Sequence, residues 1–314
     1  MKRTAVIALG GNALLRSDDS GSIEDQTINT YQTCKYVATL LKKFDSIVIT
    51  HGNGPQVGNI MLRNEAGFSK FNIPRMPLDI CVADSQGGIG YLIERQMKNV
   101  LHEEGIDKEV VTLITEVLVD KTDPAFQKPT KPVGAYYTED EAKVQAQAHD
   151  WQFKEDPRGR GWRRVVASPK PIQILNRKVV SQLSGLGYIV IVSGGGGVPV
   201  CMDEKGWLTG VDAVIDKDLA GSLLATEINA QEFFILTDIP KVAINFKKPN
   251  QQFLDKITVA EASEYHANGE FEAGSMGPKV LAAIQFVKNG GERTIITDSS
   301  ALADLENNGT QIVK

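Results

Sequence analysis

Glycine-rich turns recur along the chain at positions that suit phosphate binding. Each follows a predicted strand, and the last also opens a predicted helix: GGN at residues 10–12, HGNGP at 51–55, GGGG at 194–197 and GSMGPK at 274–279. Glycine lets backbone N–H groups approach an anion closely, and a helix N-terminus adds partial positive charge. In an open parallel sheet such turns gather outside the carboxyl ends of the strands. One such turn says little, but four together predict a phosphate site.

No cation lies beside the first turn, so the cations that would neutralise a phosphate must come from elsewhere. Lys131 lies between two prolines in PTKP, which fix the backbone on either side. Lys217 lies between Asp216 and Asp218, at the start of a predicted helix, and Lys279 follows a proline at a favoured first helical position. A single lysine is usually a solvated surface charge. These three are candidates because their local backbone is rigid.

Two familiar nucleotide-binding fingerprints are absent. No stretch matches GxxxxGK followed by serine or threonine, which excludes a Walker-type P-loop. The turn at Gly52 has Val57 where a dinucleotide-binding GxGxxG needs its third glycine, and the run at Gly194 has Pro199 there. Because each glycine of that fingerprint has a steric role, a Rossmann oxidoreductase is disfavoured.

Cysteines and histidines do not suggest disulfide or metal chemistry. Cys34, Cys81 and Cys201 are odd in number and widely spaced, so we expect reduced thiols that fill the core. The four histidines show no metal-ligand spacing. A structural transition-metal site is not expected.

The composition is that of a soluble globular protein. Of the 314 residues 42% are apolar and 23% charged, and the net charge of −5 argues against a nucleic-acid or acidic-membrane partner. The opening MKRTAVIALGG has too short an apolar run for a signal peptide, and no 18 uncharged apolar residues occur together. We therefore expect a cytoplasmic protein without a membrane span.

Short apolar runs alternate with helical stretches along most of the chain. The predicted strands are TAVIALGG, DSIVITHGNG, EVVTLIT, YIVIVSGGGG, EFFILTDI and ERTIITD, and helices are predicted at residues 27–43 and 88–104. Runs that are apolar on both faces suit strands buried between helical layers. The prediction is an α/β fold, with an open, mostly parallel sheet and helices on both faces.

Residues 120–171 break this alternation, and we predict that they form a small protruding lobe inserted into the single domain 1–314. The segment holds six of the thirteen prolines and few apolar runs, so it does not suit an interior strand of the main sheet. A disordered linker is the alternative. Six aromatic residues could supply a small core: Phe126, Tyr136, Tyr137, Trp151, Phe153 and Trp162.

Nine motifs, in this order, resemble those of the carbamate kinases within the amino acid kinase family. They are GGNA, HGNGPQVG, SQGGIGY, VDxxDPAFxxPTKPxG, GRGWRRVVxSPKP, GGGGxPV, AVIDKDxA, ILTD and GSMxPK, and they run almost from end to end. PTKPxG and GRGWRRVVxSPKP are specific to carbamate kinases within that family. Other members usually carry a lysine two residues before the first glycine pair, where this chain has Ala8.

The resemblance implies roles for the candidate residues. Lys131 from the lobe would replace the missing first-strand lysine, Lys217 and Lys279 would complete the cationic set, and Asp218, with Asp216 as second candidate, would position the lysines. The phosphoryl group and carbamate would be surrounded by Gly10, Gly11, Asn12, Gly52, Asn53, Gly194, Gly195, Gly196 and Gly197. Residues 172–314 would form the nucleotide-binding half, with Thr237, Asp238, Met276 and Gly277 near the nucleotide.

The implied reaction is phosphoryl transfer between carbamoyl phosphate and ADP, with Mg²⁺ held mainly by the nucleotide phosphates and no protein metal site. Such a reaction needs positioning and charge compensation but no nucleophilic side chain. Two alternatives remain open, another kinase that forms an acyl phosphate and a non-catalytic sensor on the same fold. The resemblance also implies a homodimer, for which exposed apolar residues at Ile60, Met61 and Ile93 are interface candidates.

Several residues depart from the family pattern. Asp84, Glu116 and Ala135 stand where relatives tend to have an uncharged residue, glutamine and proline, and PRGRGW is one residue longer than usual. The two acidic residues could alter the electrostatics near the site. The lobe arginines could attract anionic ligands or pair with the acidic run at residues 139–141; they are Arg158, Arg160, Arg163 and Arg164.

Overall fold

The computed structural model describes residues 2–16, 19–156, 159–272, 274–304 and 308–314. Its α-helices are α1 Ile23–Ala38, α2 Gln56–Phe71, α3 Leu78–Glu103, α4 Glu139–His149, α5 Arg177–Leu186, α6 Lys217–Glu227, α7 Val259–Ala267 and α8 Met276–Lys288. Its strands are β1 Thr4–Leu9, β2 Ser46–His51, β3 Val110–Thr112, β4 Glu116–Val119, β5 Lys131–Tyr137, β6 Gln152–Glu155, β7 Trp162–Val166, β8 Pro171–Ile174, β9 Ile189–Ile191, β10 Val198–Met202, β11 Leu208–Gly210, β12 Glu232–Leu236, β13 Ala243–Ile244, β14 Gln252–Phe253, β15 Lys256–Thr258, β16 Arg293–Thr297 and β17 Thr310–Val313.

An eight-stranded sheet of order β15-β17-β16-β12-β1-β2-β9-β3 forms the centre of the molecule. All neighbours are parallel except β16 and β17, which are antiparallel. The six strands predicted from apolar runs are all in this sheet. The predicted open, mostly parallel α/β fold is confirmed.

Both faces of the sheet are covered by helices, which explains the continuous apolar runs. In β1, Val6 and Ala8 contribute to the core on the side of α6 and α8, whereas Ala5 and Ile7 contribute to the core on the side of α1 and α3. Successive side chains of a strand point to opposite faces, so a strand covered on both sides is apolar along most of its length. All six residues of β1 are accordingly buried.

Two helices begin earlier than predicted. Helix α1 begins at Ile23 instead of residue 27, because the Ser22 hydroxyl caps it by accepting a hydrogen bond from the N–H of Asp25 at 3.1 Å. Its last turn, Thr39–Lys42, is a 3-10 helix. Helix α3 begins at Leu78, ten residues before the predicted start. The Gly87–Gly88 pair, where the predicted helix began, conceals the ten residues before it, since glycine disfavours helix.

Within residues 120–171 the chain forms a three-stranded antiparallel sheet of order β5-β7-β6 with α4 beside it. Tyr137 and Phe153 meet edge to face with ring centroids 5.4 Å apart. The aromatic residues therefore make contacts inside this segment. The lobe's limits at 120 and 171, like the division of the chain at 172, stay predictions.

The expected exposure of three apolar side chains and the expected place of one turn are wrong. Ile93 is fully buried against the main sheet, and Ile60 and Met61 are half-buried against another apolar cluster, so none is the exposed apolar residue that was expected. The turn at 274–279 follows α7 and not a strand. Cys34, Cys81 and Cys201 are free and buried, as predicted. Among the described residues, no helix is long and apolar enough to cross a bilayer.

Candidate active site

Three glycine turns meet at the carboxyl edge of the sheet, because β1, β2 and β9 are parallel neighbours. Strands β1 and β2 end directly before their turns and β9 ends two residues before Gly194. The N–H of Gly52 donates to the carbonyl of Leu9 at 3.1 Å, which joins the first two turns. A Cβ on Gly11 would lie 3.7 Å from the carbonyl oxygen of Gly54. The backbones of the first two turns are thus in direct contact.

Close packing and backbone conformation require glycine at two of these positions. A Cβ on Gly10 would lie 2.6 Å from the carbonyl oxygen of Leu236 at the end of β12. Gly195 has a φ of +66°, and a Cβ there would lie 2.2 Å from Nδ2 of Asn53. No larger residue fits either place without movement of the backbone.

Asp218 joins two of the three lysines. Lys217, the first residue of α6, places its Nζ 2.5 Å from Oδ1 of Asp218, and Lys279, on the first turn of α8, places its Nζ 3.1 Å from Oδ2. The carboxylate is 2% exposed. Burial by itself raises the pKa of Asp218, but the two ammonium charges and their hydrogen bonds hold that pKa below its usual value. The group is therefore an anion at neutral pH.

Asp216 has a different environment from Asp218. Its Oδ1 caps α6 by accepting from the N–H of Asp218 at 2.9 Å and the N–H of Leu219 at 3.3 Å. Its Oδ2 lies 3.5 Å from Nζ of Lys131, the first residue of β5. The side chain of Lys131 is 41% exposed, so this ion pair is open to water.

The backbone on either side of these residues links the lobe segment to α6. Ala167, which follows β7, accepts a hydrogen bond from the N–H of Val214 at 2.9 Å, and Lys131 pairs with Val166 in the β5–β7 register. Lys131 is thereby held beside the residues that lead into Lys217. A cation from the inserted segment reaches the turns of the main sheet.

One cleft collects most of the predicted phosphate-site residues. Its lining includes Gly11, Gly52, Asn53, Gly195, Lys131, Asp216, Lys217, Asp218 and Lys279. Gly194, Gly196 and Gly197 are buried behind this surface, as is Gly10. Asn12 lies in the first turn, and its side chain is outside the described part of the structure.

The predicted nucleotide residues do not line this cleft. Thr237 and Asp238 follow β12, next to Gly10, and the hydroxyl of Thr237 donates to Oδ1 of Asp238 at 3.0 Å. Met276 and Gly277 open α8 beside Lys279. The structure brings them to the same edge of the sheet but not into the cationic pocket.

The acidic residues that depart from the family pattern lie away from the cleft. Asp84 and Glu116 are exposed, and neither is among the residues that line it. Ala135 is half-buried in β5. The expectation that the two carboxylates change the electrostatics near the site therefore has no contact to support it.

Pairing of the lobe arginines with residues 139–141 is also not found among the described residues. Arg164 pairs with Asp212 and lies over the Trp151 ring at 4.1 Å, and Arg160 pairs with Asp156 at 2.7 Å. Arg163 donates to the carbonyl of Gly134 at 3.1 Å. Glu139 and Asp140 pair with Lys143, and Glu141 caps α4. Arg158 lies outside the described residues.

A buried polar layer beneath the turns was missed by the sequence analysis. Asn53 donates from Nδ2 to the Ser85 hydroxyl at 3.1 Å, and that hydroxyl donates to the carbonyl of Val82 at 2.6 Å. Gln86 exchanges two hydrogen bonds with the backbone of Thr115, at 2.9 and 3.2 Å. The polar SQ pair inside an otherwise apolar helix face was the available signal.

His51 was seen only as part of a turn, yet it is fully buried at the end of β2. Its Nδ1 lies 2.8 Å from the carbonyl oxygen of Gly52. Burial, with a smaller effect from the charge of Lys217, lowers the pKa of His51 to about 4. The imidazole is therefore neutral at physiological pH.

Carboxylates that could bind a metal ion are already engaged with lysines. Within the described ranges, no three His, Cys, Asp or Glu side chains cluster in a way that could hold a metal ion. Asp216 and Asp218, the two acidic residues of the cleft, both contact ammonium groups. The cleft is arranged to receive negative charge.

Comparisons with known proteins agree with this geometry. The sequence model of the amino acid kinase family matches residues 3–298. The chain is 49% identical to carbamate kinase of Pyrococcus furiosus and 50% identical to that of Thermococcus kodakarensis, with 100% of each chain covered. The structure of carbamate kinase from Giardia lamblia bound to AMP-PNP is similar, with a TM-score of 0.94, 44% identity, and coverage of 100% of this chain and 99% of that one. This chain therefore belongs to the carbamate kinases of the amino acid kinase family.

Proposed function

We propose that the protein catalyses reversible phosphoryl transfer between carbamoyl phosphate and ADP, giving ATP and carbamate. The bond between phosphorus and the carbamate oxygen breaks, and a terminal phosphate oxygen of ADP forms the new bond to phosphorus. Carbamate then decomposes to ammonia and CO₂. The observation that carries this proposal is one cleft, which is lined both by Lys131, Lys217 and Lys279 and by residues of three glycine turns.

The site supplies charge and position, which are what this reaction requires. The transferred group carries negative charge on its three equatorial oxygens, and little covalent chemistry falls to the protein. Ammonium groups and backbone N–H groups can compensate that charge without being reorganised during the reaction. No side chain needs to act as nucleophile.

We assign different tasks to the two aspartates. Asp218 keeps Lys217 and Lys279 on one side of the cleft, because each of its oxygens contacts one of them. Asp216 holds the N-terminus of α6 and lies near Lys131. Lys131 is the least tightly bound of the three lysines, so its ammonium group can leave Asp216 and contact a phosphate that enters the cleft.

We propose that the acceptor and phosphoryl groups lie against the glycine turns and the nucleotide against the half formed by residues 172–314. Gly11, Gly52, Asn53 and Gly195 line the cleft, which supports the first part. Thr237, Asp238, Met276 and Gly277 border the same sheet edge and would contact the nucleotide. Mg²⁺ would arrive on the nucleotide phosphates, where it neutralises charge, since the cleft's own carboxylates are paired with lysines.

A coupled assay tests the proposal directly. Purified protein receives carbamoyl phosphate, ADP and Mg²⁺, and the ATP formed is measured. In separate reactions N-acetylglutamate, glutamate and aspartate are each supplied with ATP as rival substrate pairs, and the consumption of ATP is measured. The expected result is rapid ATP formation from carbamoyl phosphate and ADP without turnover of the rival pairs. Turnover of a rival pair would indicate another acyl-phosphate kinase, and tight ligand binding without turnover would indicate a sensor.

Lys131→Ala tests the role of the lobe lysine in the same assay. We expect kcat to fall by about a hundredfold to a thousandfold, as for loss of one well-placed donor to a developing charge. The fold should be retained, because the ion pair that Lys131 makes with Asp216 is open to solvent. Lys128→Ala is the matched control, since Lys128 is exposed three residues earlier and lies outside the cleft. Near-normal kcat in folded Lys131→Ala would refute this role.

Two further properties belong to the proposal. We propose a cytoplasmic enzyme and a homodimer, on the strength of the family pattern alone. Size-exclusion chromatography with light scattering measures the second, and a monomer at working concentration would refute it.

A further inference from the structure

His51 lies where three parts of the site meet. It is the last residue of β2, is 1% exposed, and directly precedes the turn that carries Gly52 and Asn53. The strands on either side of β2 are β1 and β9, which lead into the other two glycine turns. A side chain at this position can contact more than one turn.

The hydrogen bond to Gly52 fixes the proton on the ring. A carbonyl oxygen only accepts hydrogen bonds, so Nδ1, at 2.8 Å from the oxygen of Gly52, must carry the hydrogen. The neutral ring then has its lone pair on Nε2. This tautomer holds the carbonyl of Gly52 in one orientation.

The other edge of the ring lies against the third turn. A Cβ built on Gly194 would lie 2.3 Å from Cε1 of His51 and 2.4 Å from Nε2. Only a hydrogen atom of glycine fits between the ring and the backbone there. The imidazole therefore packs directly against the backbone of Gly194, while its Nδ1 contacts the carbonyl of Gly52.

The peptide that His51 holds lies against one of the cationic side chains. A Cβ on Gly52 would lie 3.4 Å from Cδ and 3.7 Å from Cε of Lys217, and 4.0 Å from the backbone nitrogen of Gly11. A shift of the Gly52 peptide would thus move the surface against which the stem of Lys217 lies. The position of one backbone group affects both the lysine and the first turn.

We propose that His51 is a positioning residue for phosphoryl transfer: its Nδ1–H orients the Gly52 peptide, while its ring packs against the Gly194 turn. This inference rests on the proposed function, which gives Lys217 and the turns their task. His51 does not exchange protons with substrate, because the ring is buried and does not line the cleft. A displacement of about 1 Å in such a site can cost about a hundredfold in rate.

Two amide substitutions distinguish the roles of the two ring nitrogens. In His51→Asn the side-chain NH₂ is as many bonds from Cα as Nδ1 of histidine, whereas in His51→Gln it lies near the position of Nε2. Steady-state kinetics with carbamoyl phosphate and ADP give kcat and KM for each, and thermal unfolding reports the fold. His102→Gln, at an exposed histidine on α3, is the control for histidine loss.

The expected order is wild type, then His51→Asn within about tenfold, then His51→Gln with kcat lower by about a hundredfold and KM changed much less. Retained activity in His51→Gln with loss in His51→Asn would overturn the proposal, because Nε2 would then be the important atom. Wild-type kcat in both variants, or equal loss in both with unchanged unfolding temperatures, would also overturn it.

Nitrogen NMR of the imidazole keeps the inference testable where a variant does not fold or the wild type forms no ATP. We expect Nδ1 of His51 to be protonated in the wild-type protein at pH 7, with an exchange-protected proton. A proton on Nε2 would contradict the inference. Absence of ATP formation by the wild type would refute the proposed function instead, so the two failures are distinguishable.

Discussion

Removing the charge of Asp218 while keeping its shape is the sharpest test of how the lysines are held. In Asp218→Asn the carboxylate becomes an amide with one accepting oxygen and one donating NH₂ group. Each carboxylate oxygen of Asp218 contacts one lysine, so the amide oxygen keeps one of these contacts and the NH₂ group faces the other ammonium. One charged hydrogen bond is lost without a replacement from the protein.

The size of the effect follows from the burial of the three groups. A hydrogen bond to a charged group contributes about 1.5–3 kcal/mol. The lysine side chains are 16% and 17% exposed, so the released ammonium can turn towards water in the cleft. We therefore expect a loss of about 2 kcal/mol in the free energy of unfolding, below the 3–5 kcal/mol that follows when a fully buried charge loses its partner. A displaced lysine should lower kcat by about a hundredfold or more.

Asp216→Asn is the matched control, two residues away. Asparagine is as good an N-cap as aspartate, so α6 keeps its cap, and the exposed pair with Lys131 contributes less than about 1 kcal/mol. Chemical denaturation gives the free energies, and the ATP-formation assay gives kcat and KM for ADP. Asp218→Asn should lower kcat without raising KM for ADP, because the cleft becomes more positive. A kcat within threefold of wild type, or equal destabilisation by both variants, would refute the reasoning.

Two further predictions concern the turns and the buried imidazole. Gly195→Ala should abolish most activity and destabilise the fold by about 1–3 kcal/mol, through strain at positive φ and collision with Asn53. Gly185→Ala is the control, because Gly185 lies on α5 with open space around its Cα, and this variant should be neutral or slightly stabilising. Chemical denaturation of both variants measures the two effects. The pKa of His51, lowered from 6.5 to about 4, means that below pH 6.5 the unfolded chain binds a proton that the folded chain does not. The free energy of unfolding should therefore fall as pH decreases from 6.5 to 4, by up to about 3 kcal/mol from this group. The difference in unfolding free energy between wild type and His51→Asn should shrink over that range. A difference that does not change with pH would contradict a lowered pKa at His51.

The strands of the main sheet could be predicted where burial on both faces leaves only apolar residues. Ile7 and Ile49 pair directly in neighbouring strands and are both buried. Strand β17, by contrast, is short and alternates buried with half-buried residues, so its sequence carries little signal. Its antiparallel place beside β16 depends on tertiary pairing.

The first ten residues of α3 were not predicted, because the Gly87–Gly88 pair stands where the predicted helix began and glycine disfavours helix. Gly90, inside the predicted helix, has a reason that only the structure shows: a Cβ there would lie 2.3 Å from Cγ2 of Thr112 in β3. Close approach of helix and strand requires the glycine.

Within the candidate site, the rigid local backbone was enough to select the three lysines, but it did not show which aspartate each lysine contacts. Asp218 is next to Lys217 in sequence, whereas its second partner, Lys279, is 61 residues away. The different environments of Asp216 and Asp218 follow from the cap of α6, which places one carboxylate at the helix end and buries the other. The contact of His51 with Gly194 depends on a turn more than 140 residues away, and it left no local pattern.

The order of strands in the main sheet has a consequence for how the protein forms during synthesis. Strand β1, made first, lies between β2 and β12, so one of its edges remains unpaired until the ribosome has passed residue 236. Pairings between such distant segments form slowly and leave edges open to wrong partners meanwhile. Lys279 emerges later still, on α8. A nascent chain can hold two of its three cationic residues and still be inert, so enzymatic turnover would mark the completion of folding.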